Sequence, residues 1–341
     1  MRTPPALKKG SHIRVIAPSR SASILSEEGM AQAKKRLEAL GFTISFGQHV
    51  FECDLHSSSS IEHRLSDLHE AFSNDEVDGI LTAIGGFNCN ELLPYIDYEL
   101  IRQHPKVLCG YSDITALANA ISAKCDMVTY SGPHFSSFQM EQGQEEQTAM
   151  FQACVMSSEP FDFTPSTKWS DDAWYLDQAN RQFHPTTWGI YQEGTAKGTL
   201  YGGNLCTLNL LQGTSFMPHI KDAILFVEDD DLVFPETFAR DLASLLQHAE
   251  SIKGLIIGRF QKKSKMTEEH LRFILDKHPM LQHIPVIYDV DIGHTQPVFT
   301  LPNGGSAELT CNGGEVKLQI LKTKKPIYSK NNAVKCLFFK K

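Results

Sequence analysis

Between residues 13 and 130 a short apolar strand is repeatedly followed by a helical stretch, and that alternation most narrows what the chain can fold into. The strands read as 13–19, 42–46, 79–84, 106–110 and 127–130, with helices at 26–40, 61–72 and 113–124. Ser26 reads as a helix N-cap, Glu27 and Glu28 sit in the first turn, and Gly41 ends the helix. Leu65, Leu68 and Phe72 make the apolar stripe of the next helix. Strands joined through helices lie parallel, so the first half predicts an α/β layer with helices on both faces of a mostly parallel sheet.

From 136 to 185 the alternation weakens into Gln- and Glu-rich sequence with Pro160 and Pro165, and the tryptophans gather at Trp169, Trp174 and Trp188. A second αβ region follows, with strands near 198–201, 223–227, 255–257 and 286–290 and helices near 205–211, 235–249 and 267–277. From residue 300, Asn303-Gly304-Gly305 and Asn312-Gly313-Gly314 read as turns of a terminal hairpin. The division predicted is a first α/β domain over 1–165, a linker and substrate loop over 166–190, a smaller α/β domain over 191–321, and a basic tail over 322–341. That tail has seven lysines and no acid, and reads as solvated.

Composition excludes several function classes. With 41% hydrophobic and 21% charged residues over 341 positions, the chain can bury a core. A net charge of −8 argues against a nucleic-acid partner. No apolar run reaches the ~18 residues a membrane span needs, and the N-terminus has no apolar leader core, so a cytoplasmic protein without a membrane partner is expected. Cys53, Cys89, Cys109, Cys125, Cys154, Cys206, Cys311 and Cys336 form no CxxC pair, and the fourteen histidines form no HExxH. Neither disulfides, nor a metal, nor an organic cofactor is expected.

The chemistry is sought where strands end. Val107-Leu108-Cys109-Gly110-Tyr111-Ser112-Asp113 runs from an apolar strand directly into a helix. A serine on such a turn has the layout of a nucleophile elbow, with the helix N-terminus and the Asp113 amide beside it to stabilise an oxyanion. The commoner role of a serine there is an N-cap, and the second glycine of G-x-S-x-G is missing. A base is offered by His294 in Gly293-His294-Thr295-Gln296-Pro297, just after a strand, and an orienting carboxylate by Glu228 at the end of Ile224-Leu225-Phe226-Val227. Gly85-Gly86 supplies a tight turn whose Gly86 amide suits a second oxyanion donor, and Asn204 after Gly202-Gly203 is a candidate substrate contact. Taken singly, each is as well explained by an ordinary turn, cap or exposed loop. Neither glycine pair is a nucleotide-binding fingerprint.

In order along the chain, these pieces resemble the serine LD-carboxypeptidase family, which comprises muramoyltetrapeptide and microcin C immunity carboxypeptidases. The resemblance runs from about Ile13 to Leu321. It is closer to the immunity branch through Gly86-Phe87-Asn88-Cys89-Asn90 and through Trp174 preceding Trp188. It implies a flavodoxin-like or glutaminase-like first domain, a Ser112, His294 and Glu228 triad, Gly86 and Asp113 amides as oxyanion donors, and Trp174 stacking on a nucleobase. It also implies a cofactor-free homodimer acting on a small peptide or aminoacyl-nucleotide substrate through an acyl-enzyme. The murein tetrapeptide is the alternative substrate, and a silent ligand-binding protein on the same scaffold is the alternative from another class. A glutamine amidotransferase would need its cysteine at the elbow, whereas Cys109 lies three positions early. An imidazole base with the ordinary pKa of roughly 6.5 would lose activity below about pH 6.

Overall fold

The computed structural model describes residues 1–321. The basic tail and Cys336 lie outside the described residues. The strands in chain order are β1 (His12–Ile16), β2 (Thr43–Phe46), β3 (Gly79–Thr82), β4 (Val107–Gly110), β5 (Thr129–Ser131), β6 (Phe161–Phe163), β7 (Lys168–Trp169) and β8 (His184–Pro185). They continue as β9 (Gly189–Gln192), β10 (Gly194–Asn204), β11 (Ala223–Glu228), β12 (Ile252–Gly258), β13 (Val286–Val290), β14 (Leu301–Asn303), β15 (Ser306–Asn312) and β16 (Glu315–Leu321). The helices are α1 (Glu27–Ala39), α2 (Ile61–Ser73), α3 (Tyr98–Gln103), α4 (Ile114–Cys125), α5 (Glu145–Val155), α6 (Leu205–Asn209), α7 (Pro235–His248) and α8 (Glu268–Asp276).

Two sheets result. The first has the order β14-β5-β4-β3-β1-β2 and is parallel except for β14. Every residue of β3 and β4 is buried, as helices on both faces require. The second has the order β6-β16-β15-β10-β11-β12-β13-β9. Its centre, β10 to β13, is parallel, and antiparallel strands flank it on both sides. The mixed α/β architecture and its two layered regions are those the sequence predicts.

Local chemistry sets the helix boundaries. Ser26 caps α1 by accepting from the Gly29 amide, Ser60 caps α2 through the His63 amide, and Thr267 caps α8 through the His270 amide. The sheets are joined by α4, which is buried along nearly its whole length. Ile114, Leu117 and Ile121 share one apolar cluster with Leu205 and Leu208 of α6 and Leu225 of β11. Two polar contacts fix its register: Asn119 donates to the Gly202 carbonyl (2.9 Å) and the Asn204 amide donates to Thr115 Oγ1 (2.9 Å).

The structure departs from the sequence reading where strands are short or cross between sheets. Asn303-Gly304-Gly305 is not a hairpin turn. It links β14, which pairs with β5 in the first sheet, to β15 in the second. The hairpin proper is β15–β16, turning at Gly313-Gly314. β6 falls in the stretch expected for the first domain but pairs with β16 of the second sheet. The weakly patterned stretch contains α5, whose Phe151, Cys154 and Val155 join an apolar cluster of the first sheet with Phe135 and Phe138.

Candidate active site

Three side chains from distant parts of the sequence converge between the sheets. Ser112 follows β4 and holds φ at +59°, a left-handed conformation unusual for a residue with a Cβ. It is not the N-cap, because Asp113 occupies that position. The Asp113 side chain is used elsewhere, accepting from Ser19 Oγ (2.5 Å) and the Cys89 amide (2.9 Å). These contacts pin the turn from below and leave the Ser112 hydroxyl facing His294.

His294 Nε2 lies 3.1 Å from Ser112 Oγ, and its Nδ1 lies 2.7 Å from Glu228 Oε2. With Nδ1–H donating to the carboxylate, Nε2 is the acceptor for the serine hydroxyl. Glu228 ends β11 and is 3% exposed, so its charge is little screened. Gly293 carries φ +91°, and a Cβ there would stand 2.3 Å from Glu228 Oε2. Glycine is therefore what lets the loop bring His294 against the carboxylate. On the other side of the serine, a Cβ on Gly85 would lie 3.1 Å from Ser112 Oγ, so the Gly85-Gly86 turn passes directly over the Ser112 hydroxyl.

Burial pushes the His294 pKa down, but the Glu228 charge and hydrogen bond, with Asp230 and Asp229 behind them, raise it to about 9. This corrects the expectation of an ordinary imidazole, because the sequence does not show how many acids gather around the ring. Burial and the Glu228 charge also push the Asp229 carboxyl up to about 8. A second histidine, missed in the sequence, lies close by: His134 is buried, bonds Thr82 Oγ1 (2.6 Å) and stacks on Tyr111 at 4.4 Å. The Tyr111 ring meets His294 on its edge at 5.2 Å. Burial, then the charges of His294 and Arg20, hold the His134 pKa down at about 3, so its ring is neutral.

Ser112 opens onto a cavity of about 290 Å³ lined also by Gly86, Asp113 and Asn204. Asn204 caps α6 by accepting from the Thr207 amide (3.0 Å), and it is registered beside Glu228 in the β10–β11 ladder. The apolar wall is Phe87, Leu210, Leu232 and Val233, and Arg240 is the one cation among the lining residues. Trp174 does not line this cavity. It stands on the loop that begins at Ser170, which pairs with Gln296 two residues past the base (2.9 and 2.8 Å). Trp188 is a core residue whose Nε1–H donates to Asp291 (2.9 Å). Asp291 also forms a buried ion pair with Arg259 (2.8 Å) and accepts from Ser166, and this network underpins the loop bearing His294.

No helix among the described residues is long and apolar enough to cross a membrane. Comparison with known proteins gives a consistent picture. A family model described as the LD-carboxypeptidase N-terminal domain matches residues 13–132, and one described as the LD-carboxypeptidase C-terminal domain matches 197–309. The Bacillus subtilis protein named "Putative carboxypeptidase YocD" is 48% identical, covering 92% of this chain and 98% of its own. The solved MccF-like protein of Bacillus anthracis is 49% identical with a TM-score of 0.93, covering 95% of this chain and 100% of that one. The Escherichia coli microcin C7 self-immunity protein MccF is 28% identical over 94% of this chain and 96% of its own. A solved structure of MccF with glutamyl sulfamoyl guanosine has a TM-score of 0.84, with 27% identity, covering 94% of this chain and 98% of that one.

Proposed function

The chain belongs to the LD-carboxypeptidase family, and from that premise we propose that it hydrolyses aminoacyl nucleotides, splitting the bond between the acyl carbon and the sulfamoyl or phosphoramidate nitrogen. The observation that carries this reading is the relay from Ser112 through His294 to Glu228, at 3.1 and 2.7 Å, opening onto a cavity.

In this mechanism Ser112 Oγ attacks the acyl carbon while His294 Nε2 takes its proton. Glu228 holds the Nδ1–H and stabilises the imidazolium. The Gly86 and Asp113 amides receive the developing oxyanion. His294 then passes the proton to the leaving nitrogen, and the acyl group stays as an ester on Ser112. Water, deprotonated by the same imidazole, releases the amino acid and restores the serine. Arg240 gives an anionic part of the substrate a partner at the cavity mouth, and Asn204 contributes a polar contact from the wall.

The choice of substrate rests on the relatives: the solved MccF complex carries an aminoacyl sulfamoyl nucleoside, and the MccF-like protein is 49% identical to this chain. Trp174, on the loop tied to the His294 segment, is assigned to stack on the base, a contact worth ~1–3 kcal/mol. The active form is assigned as a homodimer in the cytoplasm, and light scattering of the purified protein checks the assembly.

The test is to incubate the protein separately with glutamyl sulfamoyl adenosine and with a murein tetrapeptide ending in D-alanine, following products by mass. Release of glutamate, lost in Ser112→Ala, is the expected result. Cleavage of the tetrapeptide alone would assign the enzyme to murein recycling and remove the role given to Trp174. Cleavage of neither substrate, together with no labelling by a serine-directed fluorophosphonate, would favour a silent binding protein.

A further inference from the structure

A second cluster of chemically capable side chains stands on the loop between β2 and α2 and the first turn of α2, and none of its members lines the hydrolytic cavity. His49 Nδ1 lies 2.7 Å from one oxygen of Glu52, and His63 Nδ1 lies 2.7 Å from the other. The two imidazoles stack with centroids 4.0 Å apart and planes 15° from parallel. One donor atom from each of the three residues lies within 4.8 Å of the other two.

We infer that His49, Glu52 and His63 form a binding site for a divalent transition metal of the zinc type. Two imidazole nitrogens and one carboxylate oxygen are a donor set zinc accepts, with water completing a tetrahedron. Bonds of ~2.0–2.1 Å place tetrahedral ligands roughly 3.3 Å apart, so modest side-chain rotation, splaying the stacked rings, closes the present spacing. Each neutral ring then carries its proton on Nε2 and gives its Nδ1 lone pair to the metal.

The framework is already fixed by backbone contacts that leave the donor atoms of the side chains out. The His49 amide donates to both oxygens of Asp67 (3.2 and 3.0 Å), and Asp67 is buried on α2. The Glu52 amide closes a turn onto the His49 carbonyl (3.1 Å). His63 sits in the first turn of α2, with its amide held by Ser60 (3.2 Å). As a plain ion-pair network, two histidines sharing a partly exposed carboxylate would add little stability. Chelation needs one nitrogen from each ring and one carboxylate oxygen to converge, and the three donor atoms here lie within 4.8 Å of one another.

The test uses the tag-free full chain, stripped with a chelator and titrated by calorimetry with zinc and, separately, cobalt(II). One equivalent should bind, and His63→Ala or Glu52→Gln should weaken it at least tenfold. Ser112→Ala and Cys53→Ser should bind like the parent, and the cobalt spectrum should lack a thiolate charge-transfer band. His63 is partly exposed, so its truncation should leave the fold intact by circular dichroism. Equal affinity in His63→Ala, loss of binding in Cys53→Ser, or no binding to the parent chain would overturn the inference.

Discussion

The two sheets hold their share of the active site by different physical means. In the first, Ser112 is placed by backbone geometry: a positive φ, a glycine turn pressed against its hydroxyl, and buried hydrogen bonds that the Asp113 side chain accepts from Ser19 and Cys89. In the second, His294 and Glu228 are held by charge in a buried setting, and Arg259 with Asp291 repeats that device in the scaffold below. The first region therefore rests mainly on backbone and steric constraints, while the second rests on charge. A change in the first should alter rate without moving the pH profile, and one in the second should alter both.

Five variants break or sharpen that contrast. Ser112→Ala should lower kcat/KM by on the order of 10⁴ or more with the circular dichroism spectrum unchanged. Residual activity near the parent level would show that the serine is not the nucleophile. Glu228→Gln should cost on the order of 10³- to 10⁴-fold. It should also move the acid limb, because a base works only when unprotonated and activity rises as pH passes its pKa. With His294 raised to about 9 by Glu228, the parent limb should lie well above the ordinary imidazole value. In the variant it should fall toward or below that value, and an unmoved limb would contradict the charge argument.

Arg259→Met strands a fully buried Asp291 and should destabilise the fold by ~3–5 kcal/mol in urea unfolding. The smallest effects come from two glycines. Gly85→Ala crowds Ser112 and should lower kcat by about 10- to 100-fold at every pH, since small misplacements of reacting groups carry such losses. Gly293→Ala pushes on the Glu228 carboxylate and should lower the acid limb as well as the rate. Identical pH profiles for the two glycine variants would erase the distinction between the regions.

The same contrast explains what could be read in the sequence. Parallel strands buried on both faces are continuous apolar runs, so β3, β4 and β11 were legible, and a polar residue ending such a run, like Glu228, stood out. Short strands such as β6, β9 and β14 were not, because three or four residues carry no period and their partners lie far along the chain. α5 was hidden by Glu145, Glu146, Gln147 and Gln152, which break up its apolar stripe, although Gln147 is itself buried. At the site, strand-end positions singled out Ser112 and His294 and the family resemblance gave them roles, but neither could reveal His134 or the acids that raise the His294 pKa, since only folding brings them together. His49, Glu52 and His63 escaped for the same reason: their donors come from a loop and a helix, outside any fixed metal-binding spacing.

The crossing of β14 has a consequence for how this enzyme is made. The edge of the sheet carrying the nucleophile is closed by Leu301–Asn303, residues translated long after the rest of that sheet. Domains usually mature as the ribosome releases them. Here that edge is closed only after nearly the whole described chain has emerged, so Ser112 is brought against Glu228 and His294 in the same late stage of synthesis that seals its sheet.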